Sequence, residues 1–286
     1  MRIFNATFET PVRAMMPVRP WSHLFLSVFC WVWIGTGLLS AAPLQEFTKK
    51  INRAFSTNAK GMTALYNKYG QVKVQTWNDN AVKMDIVITV NAGNQREADE
   101  MFKQIQVNFT STNGYVKAET VIGQTSWWTP RCDNFKIDYE VMMPVGNQLD
   151  LKNRYGNAFV GNLDGKLLAE IKYGDLRAEN VRADAELYLS YGKAFISGVQ
   201  NLNGQLSYGE LRLNEAKEVQ FDSKYSDISI ERAVALRVTS KYDDFELGNI
   251  DDLRLQTKYS DVKLKTVRAA YLDHARARGA QVHAEI

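Results

Sequence analysis

The sequence predicts an all-β protein: a parallel β-solenoid with coils of 17 or 18 residues, preceded by a less regular β part that carries one short helix. Three observations predict this class. A tyrosine-led motif recurs at nearly constant spacing, apolar and polar residues alternate within each repeat, and the repeat is too short to hold a helix of normal length. The apolar content of 45% and the charged content of 23% are ordinary for a chain that folds.

The first element is an uncharged apolar run from Leu24 to Ala42, which follows Arg13 and Arg19. Positive, then apolar, then small residues are the order found in a secretory signal peptide. The run is also long enough to span a bilayer as a retained anchor. On either interpretation the rest of the chain is exported, to the periplasm, the outer surface or the medium. It would meet a membrane only through residues 1–42, and only if they are not cleaved.

Residues 43–150 form the less regular β part. Strands are expected near 69–90, 105–110, 115–122, 135–142 and 149–151, where apolar residues alternate with polar ones. Residues 95–106 place Ala98, Met101, Phe102 and Ile105 on one face, which predicts a short amphipathic helix. We expect this helix to cover the open end of the solenoid.

Residues 151–272 form the repeat region. Seven tyrosines open successive units at steps of 18, 18, 17, 17, 17 and 17 residues, and an isolated eighth copy begins at Tyr69. Two short strands and tight turns account for one unit, so each unit is one coil of the solenoid. We expect the tyrosines to stack as a structural ladder, with a sugar-binding aromatic strip as the alternative. They are Tyr155, Tyr173, Tyr191, Tyr208, Tyr225, Tyr242 and Tyr259.

Apolar residues recur at the third, fifth and eighth positions after each tyrosine, and they are predicted to face the core. In the unit of Tyr225 these residues are Ile228, Ile230 and Ala233. The glycine that follows each of the first four repeat tyrosines is expected to take a positive φ at the turn.

Two charged columns flank the last three tyrosines. The residue before each tyrosine is a lysine, and the residue two positions after it is an aspartate. Ion pairs between the two columns are the expected arrangement, and a cation held by the stacked carboxylates is the alternative. The lysines are Lys224, Lys241 and Lys258, and the aspartates are Asp227, Asp244 and Asp261.

Several elements occur in a recognisable order. The Lys-Tyr-Gly strand at 68–74 leads to Trp77, a strand at 82–90 precedes the helix, and a proline-ended strand at 135–144 precedes the tandem repeats. In this order the chain resembles the bacterial "putative adhesin" family of exported β-solenoid proteins over roughly residues 60–270. The resemblance implies a β-solenoid with a role in adhesion, and it transfers no catalytic residue to this chain.

Composition excludes several kinds of site. The three histidines are His23, His274 and His283, so none lies in the main body, and two cysteines are too few for a four-cysteine metal site. A net charge of +3 argues against a nucleic-acid partner, which needs a clustered basic face. No catalytic, cofactor-binding or metal-binding residue is predicted, and no cofactor.

Trp127 and Trp128 are the candidate ligand-binding aromatics, with capping of the core as the alternative interpretation. The tail, residues 273–286, is expected to lack regular structure, although a short helical cap is also compatible with it. These features predict a non-enzymatic exported protein of the bacterial cell envelope, acting in adhesion or as a scaffold. Its partner would be an unknown surface ligand, a glycan or a protein. The alternatives are a carbohydrate-active β-helix enzyme and an envelope-stress regulatory partner.

Overall fold

The structure is a computed structural model, and it describes residues 44–123, 135–273 and 281–284, with the backbone alone for 272, 273 and 281–284. The predicted signal or anchor segment, Trp127 and Trp128 lie outside these residues. In the part of the chain that is described, no helix is long and apolar enough to cross a membrane.

The N-terminal part combines parallel and antiparallel pairing. Strand β4 lies between β1 and β7 and is antiparallel to both, and β5 and β6 form an antiparallel hairpin. Helix α1 begins after Asn94, whose side chain accepts the Glu97 N–H, and buries Ala98 and Met101 mainly against β4 and β5. The elements are β1 (Gln45–Ser56), β2 (Met62–Lys68), β3 (Val72–Trp77), β4 (Ala81–Ala92), α1 (Gln95–Gln104), β5 (Ile105–Thr112), β6 (Tyr115–Ile122) and β7 (Phe135–Pro144).

The repeat region is a stack of parallel strands in register, which confirms the predicted β-solenoid. Each residue pairs with the equivalent residue of the next coil, so Ile228 lies between Leu211 and Phe245. The elements are β8 (Gln148–Arg154), β9 (Ala158–Val160), β10 (Leu167–Lys172), β11 (Leu176–Ser190), β12 (Lys193–Ser207), β13 (Glu210–Lys224), β14 (Asp227–Lys241), β15 (Asp244–Lys258), β16 (Asp261–Asp273) and β17 (Gln281–Ala284).

The isolated copy at Tyr69 belongs to the same stack. Strands β2 and β3 pair in parallel with β8 and β9, and Lys68 is in register with Arg154. The rings of Tyr69 and Tyr155 are stacked with centroids 5.0 Å apart. The first coil is therefore interrupted by β4 to β7 and α1, and the solenoid resumes directly above it.

The predicted core columns are buried. The third and fifth residues after every repeat tyrosine are at most 8% exposed, and Ile228 and Ile230 are among the most deeply buried of them. The eighth-residue column is also buried except at Val267, which is partly buried. Burial of these side chains is the main favourable term for stacking the coils.

The corner after each coil differs from the expectation in one respect. Positive φ occurs at all eight tyrosines, between 53° and 61°, and not at the glycines that follow them. The glycines are required for space instead. A Cβ on Gly192 would lie 1.9 Å from the Gly174 carbonyl oxygen of the preceding coil, too close for any side chain.

The expectation of a tail without regular structure is wrong for residues 281–284. Strand β17 pairs in parallel with β16, and Gln281 is in register with Asp261. The tail thus begins another coil, twenty residues after the previous one instead of seventeen. A longer connection breaks the periodicity by which the other coils could be found.

Candidate functional site

The tyrosine ridge, formed by Tyr69 and the seven repeat tyrosines, runs along one edge of the solenoid. Neighbouring rings are stacked with centroids 4.9–5.1 Å apart and planes within 15° of parallel. The repeat tyrosines remain 40–49% exposed. Because neighbouring rings cover each other's faces, the ridge presents ring edges and hydroxyl groups to a ligand. The aromatic faces on which a sugar would stack are occupied within the ridge.

Each tyrosine of the ridge adopts an unfavourable, left-handed backbone conformation. A left-handed conformation costs an ordinary residue roughly 1–2 kcal/mol, and glycine would adopt it without that cost. Stacking between aromatic rings returns about 0.5–1.5 kcal/mol per pair beyond area burial. The chain therefore keeps tyrosine at this corner for its ring and hydroxyl, since the backbone alone would favour glycine.

The lysine column and the aspartate column do not pair with each other. The lysine column is Lys224, Lys241 and Lys258, and the aspartate column is Asp227, Asp244 and Asp261; each is exposed and in register along the stack. None of the six side chains forms an ion pair with a described residue. The expected ion-pair ladder is therefore wrong. The sharp turn at each tyrosine sends the residues before and after it to different faces.

The aspartate column forms one rim of an outer groove of about 880 Å³ on strands β12 to β16. Phe195 lies at one end of the groove and Lys263 at the other, and carboxylates outnumber cations along it. The charged residues lining it are Glu210, Arg212, Asp227, Glu231, Asp244, Glu246, Asp261 and Lys263. Among the described residues no group of His, Cys, Asp or Glu side chains is placed to hold a metal ion.

The groove spreads its charged groups evenly along the coils. A lyase or hydrolase site would gather its acid and base within reach of one substrate atom. Here Glu210 accepts a hydrogen bond from Lys193 at 2.8 Å and another from Arg212. These contacts, chiefly that with Lys193, lower the pKa of Glu210, so it stays ionised and cannot serve as a proton donor at neutral pH.

A polar corner lies buried beneath the last three tyrosines, and the sequence analysis did not find it. Leucine and glycine line this corner in the middle coils, and hydroxyl and carboxyl groups replace them from Ser223 onward. The change is visible in the sequence on either side of each tyrosine. The corner consists of Ser223, Ser226, Ser240, Asp243, Thr257 and Ser260, each at most 7% exposed.

Asp243 is the titratable group of the polar corner. Its Oδ2 accepts the Ser223 hydroxyl at 2.6 Å, and its Oδ1 accepts the Ser226 N–H at 2.8 Å. Its own N–H donates to the Ser260 hydroxyl oxygen at 3.0 Å. Burial raises the pKa of Asp243 to about 6 in spite of these hydrogen bonds. The group faces the interior, which separates it from any surface ligand.

A second polar cluster lies in the N-terminal part, around Tyr66. The Tyr66 hydroxyl donates to Asp150 at 2.6 Å, and the ammonium groups of Lys117 and Lys152 lie 4.5 and 4.8 Å from the ring centroid. Burial, with the hydrogen bond to Asp150, raises the pKa of Tyr66. The phenol therefore remains protonated at physiological pH, and the two lysines pack against a neutral ring.

The candidate ligand-binding aromatics Trp127 and Trp128 lie outside the described residues, so the structure does not place them near any of these surfaces. The tyrosines predicted to form a ladder do lie together, over eight coils instead of seven, because Tyr69 joins them. The surfaces that the structure brings together are the tyrosine ridge, the lysine column beside it and the outer groove.

No protein-family model matches the chain, and no curated protein sequence matches it. Solved structures do. A "putative adhesin" from Bacteroides fragilis NCTC 9343 is similar at 15% identity with a TM-score of 0.45, over 82% of this chain and 95% of that one. A "putative adhesin" from Parabacteroides merdae ATCC 43184 is similar at 10% identity with a TM-score of 0.45, over 83% of this chain and 97% of that one.

A "putative lipid binding protein" from Parabacteroides distasonis ATCC 8503 is also similar, at 10% identity with a TM-score of 0.43, over 83% of this chain and 97% of that one. The resemblance to putative adhesins that the sequence predicts is thus found among solved structures.

Proposed function

We propose that this protein is a non-enzymatic, exported β-solenoid of the bacterial cell envelope that binds a surface ligand, in adhesion or as a scaffold. One observation carries the proposal: the tyrosine repeats in register along the whole stack, and the lysine and aspartate columns repeat in register beside it in the coils of the last three tyrosines. A repeated strip is suited to many weak contacts with an extended ligand. A catalytic centre needs the opposite, a single coil that departs from the pattern.

Export is supported by the uncharged run at residues 24–42 with arginines before it. The ligand class is a glycan or a protein, met along the length of the solenoid. Binding distributed over several coils would gain strength with the length of the ligand, because each additional contact is made within the same complex.

The test is binding of the full chain, in a mild detergent, to arrays of surface glycans, peptidoglycan and matrix proteins. We expect saturable binding to at least one class, stronger for long ligands than for short ones, and competed by the same ligand in solution. Absence of binding to every class, together with turnover of a polysaccharide, would overturn the proposal in favour of the enzyme.

A further inference from the structure

No side chain of the lysine column forms an ion pair with a described residue. Its three ammonium groups belong to parallel strands in register, roughly 4.8 Å apart from one coil to the next. Like charges in register repel, and no described carboxylate lies within ion-pair distance of these ammonium groups to relieve the repulsion. Lys224 also leans toward the ridge, with its nitrogen 6.0 Å from the Tyr208 ring centroid.

The position of the lysine column holds no acidic residue in the earlier coils of the stack either. In the coils before that of Tyr225, taken in order toward the N-terminus, the residues that precede the tyrosines are Ser207, Ser190, Lys172, Arg154 and Lys68. Of these basic residues Lys172 is paired with Glu170, at 2.8 Å, whereas Lys68 and Arg154 have no ion pair with a described residue. On the side of the lysine column, cations and hydroxyl groups thus flank the ridge along its length.

We propose that the tyrosine ridge and the lysine column together bind a linear anionic polysaccharide with one carboxylate on each sugar, an inference that rests on the proposed function and names its ligand. Each coil offers a phenol hydroxyl to a sugar oxygen, and each coil of the lysine column adds an ammonium group for the carboxylate. The coils are 4.9–5.1 Å apart at the ridge, and a pyranose unit in an extended chain advances by a similar distance. Sugar and coil can therefore remain in register over several repeats.

Other polyanions fit this strip less well. Duplex DNA presents one charge per about 1.7 Å of axis and is bound by a broad basic face. The strip here is a single row, and the opposite side of the ridge carries the aspartate column, which would repel a wide polyanion. A second copy of this chain, with its aspartate column against the lysine column, is the remaining charge-matched partner, and the experiment distinguishes it.

The probe is a series of mannuronate oligomers of defined length, titrated against the full chain in a mild detergent, with the carboxyl-reduced oligomers as the uncharged reference. The ridge variant is the triple change K224Q, K241Q and K258Q. The matched control is the triple change K217Q, K263Q and K265Q, which removes three exposed lysines of strands β13 and β16 away from the ridge. All six positions are exposed, so both variants should keep the wild-type melting temperature.

We expect the wild type to bind the charged oligomers at least about tenfold more tightly than the reduced ones, with affinity falling as salt rises. The ridge variant should lose about tenfold or more, and the control little. Equal losses in the two variants, or equal binding of charged and reduced oligomers, would overturn the inference.

Equal affinity for duplex DNA, or self-association abolished by the ridge variant with no oligomer binding, would also overturn it. If the chain binds a neutral glycan or a protein on the arrays and the ridge variant is unaffected, the ligand named here is wrong while the proposed function stands. If the chain binds no ligand on the arrays and no oligomer, both the proposed function and the ligand named here are wrong.

Discussion

Ile228→Asp should unfold the solenoid or lower its free energy of unfolding by more than about 4 kcal/mol. Ile228 is 1% exposed and lies in register between Leu211 and Phe245. A carboxylate there would be buried among apolar side chains with no partner, and the burial of the isoleucine would be lost as well. At roughly 2–4 °C per kcal/mol, the melting temperature should fall by about 10 °C or more.

The control for this change is Ser229→Asp, one residue further along the same strand. Ser229 lines the outer groove, next to Arg212 of the preceding coil. A carboxylate at Ser229 can remain hydrated, so its effect should stay within about 1 kcal/mol. Thermal unfolding of both variants by circular dichroism checks the pair. Equal destabilisation would show that the inward and outward faces are assigned wrongly by one residue.

Asp243→Asn should stabilise the protein at pH 7.5 by about 2 kcal/mol and lose this advantage near pH 4. The folded state raises the pKa of Asp243 from 3.8 to about 6, so it holds the proton more tightly than the unfolded chain does. The contribution of Asp243 to stability is therefore fully present below about pH 4 and is lost as the pH rises through about 6. Asparagine is neutral throughout and can still accept the Ser226 N–H.

The measurement is the melting temperature of wild type and variant from pH 4 to pH 8. The difference between them should grow with pH and reach about 4–8 °C near neutrality. Asp222→Asn, at a nearby exposed position, is the control and should show no such growth. A constant difference between wild type and the Asp243 variant over the whole range would mean that Asp243 is ionised in the folded state at every pH tested.

The repeat determined how much of the fold the sequence could predict. Tyrosine spacing set the coil length, and the alternation after each tyrosine set which residues face inward, since a side-chain period of two leaves only one register that buries Ile228 and Ile230. The motif at Tyr69 was recognised as an isolated copy of the repeat. Its pairing with the coil of Tyr155 was not predicted. The intervening residues, 75–147, hide that pairing.

Strand direction and corner geometry could not be read in this way. Alternation is the same in parallel and antiparallel strands, so the antiparallel pairing of β4 with β1 and β7 carries no sequence signal of its own. A Tyr-Gly pair at a turn suggests a positive φ at glycine, and only the close approach of successive coils shows that the tyrosine takes it. The predicted ion pairs failed for the same reason, because the corner sets where each charged column points.

The candidate surface was predicted in part. The tyrosines were identified as a ladder from their spacing, and the two charged columns from their position beside it. The polar corner was missed although its residues stand in the motif: Ser226, Asp243 and Ser260 occupy the position of the turn glycine, and the sequence analysis did not predict that they are buried. Their side chains are buried, and the sequence pattern does not distinguish a buried hydroxyl group from one exposed to water.

The central claim is that the outer strip of the solenoid binds an extended ligand without changing it. The most direct measurement is the chain length of a polysaccharide recovered from its complex with the full chain after prolonged incubation, by size-exclusion chromatography with light scattering. We predict that the ligand is recovered at its original length and in the amount bound. Shortened chains, appearing in proportion to protein and time, would contradict the claim and identify the protein as an enzyme.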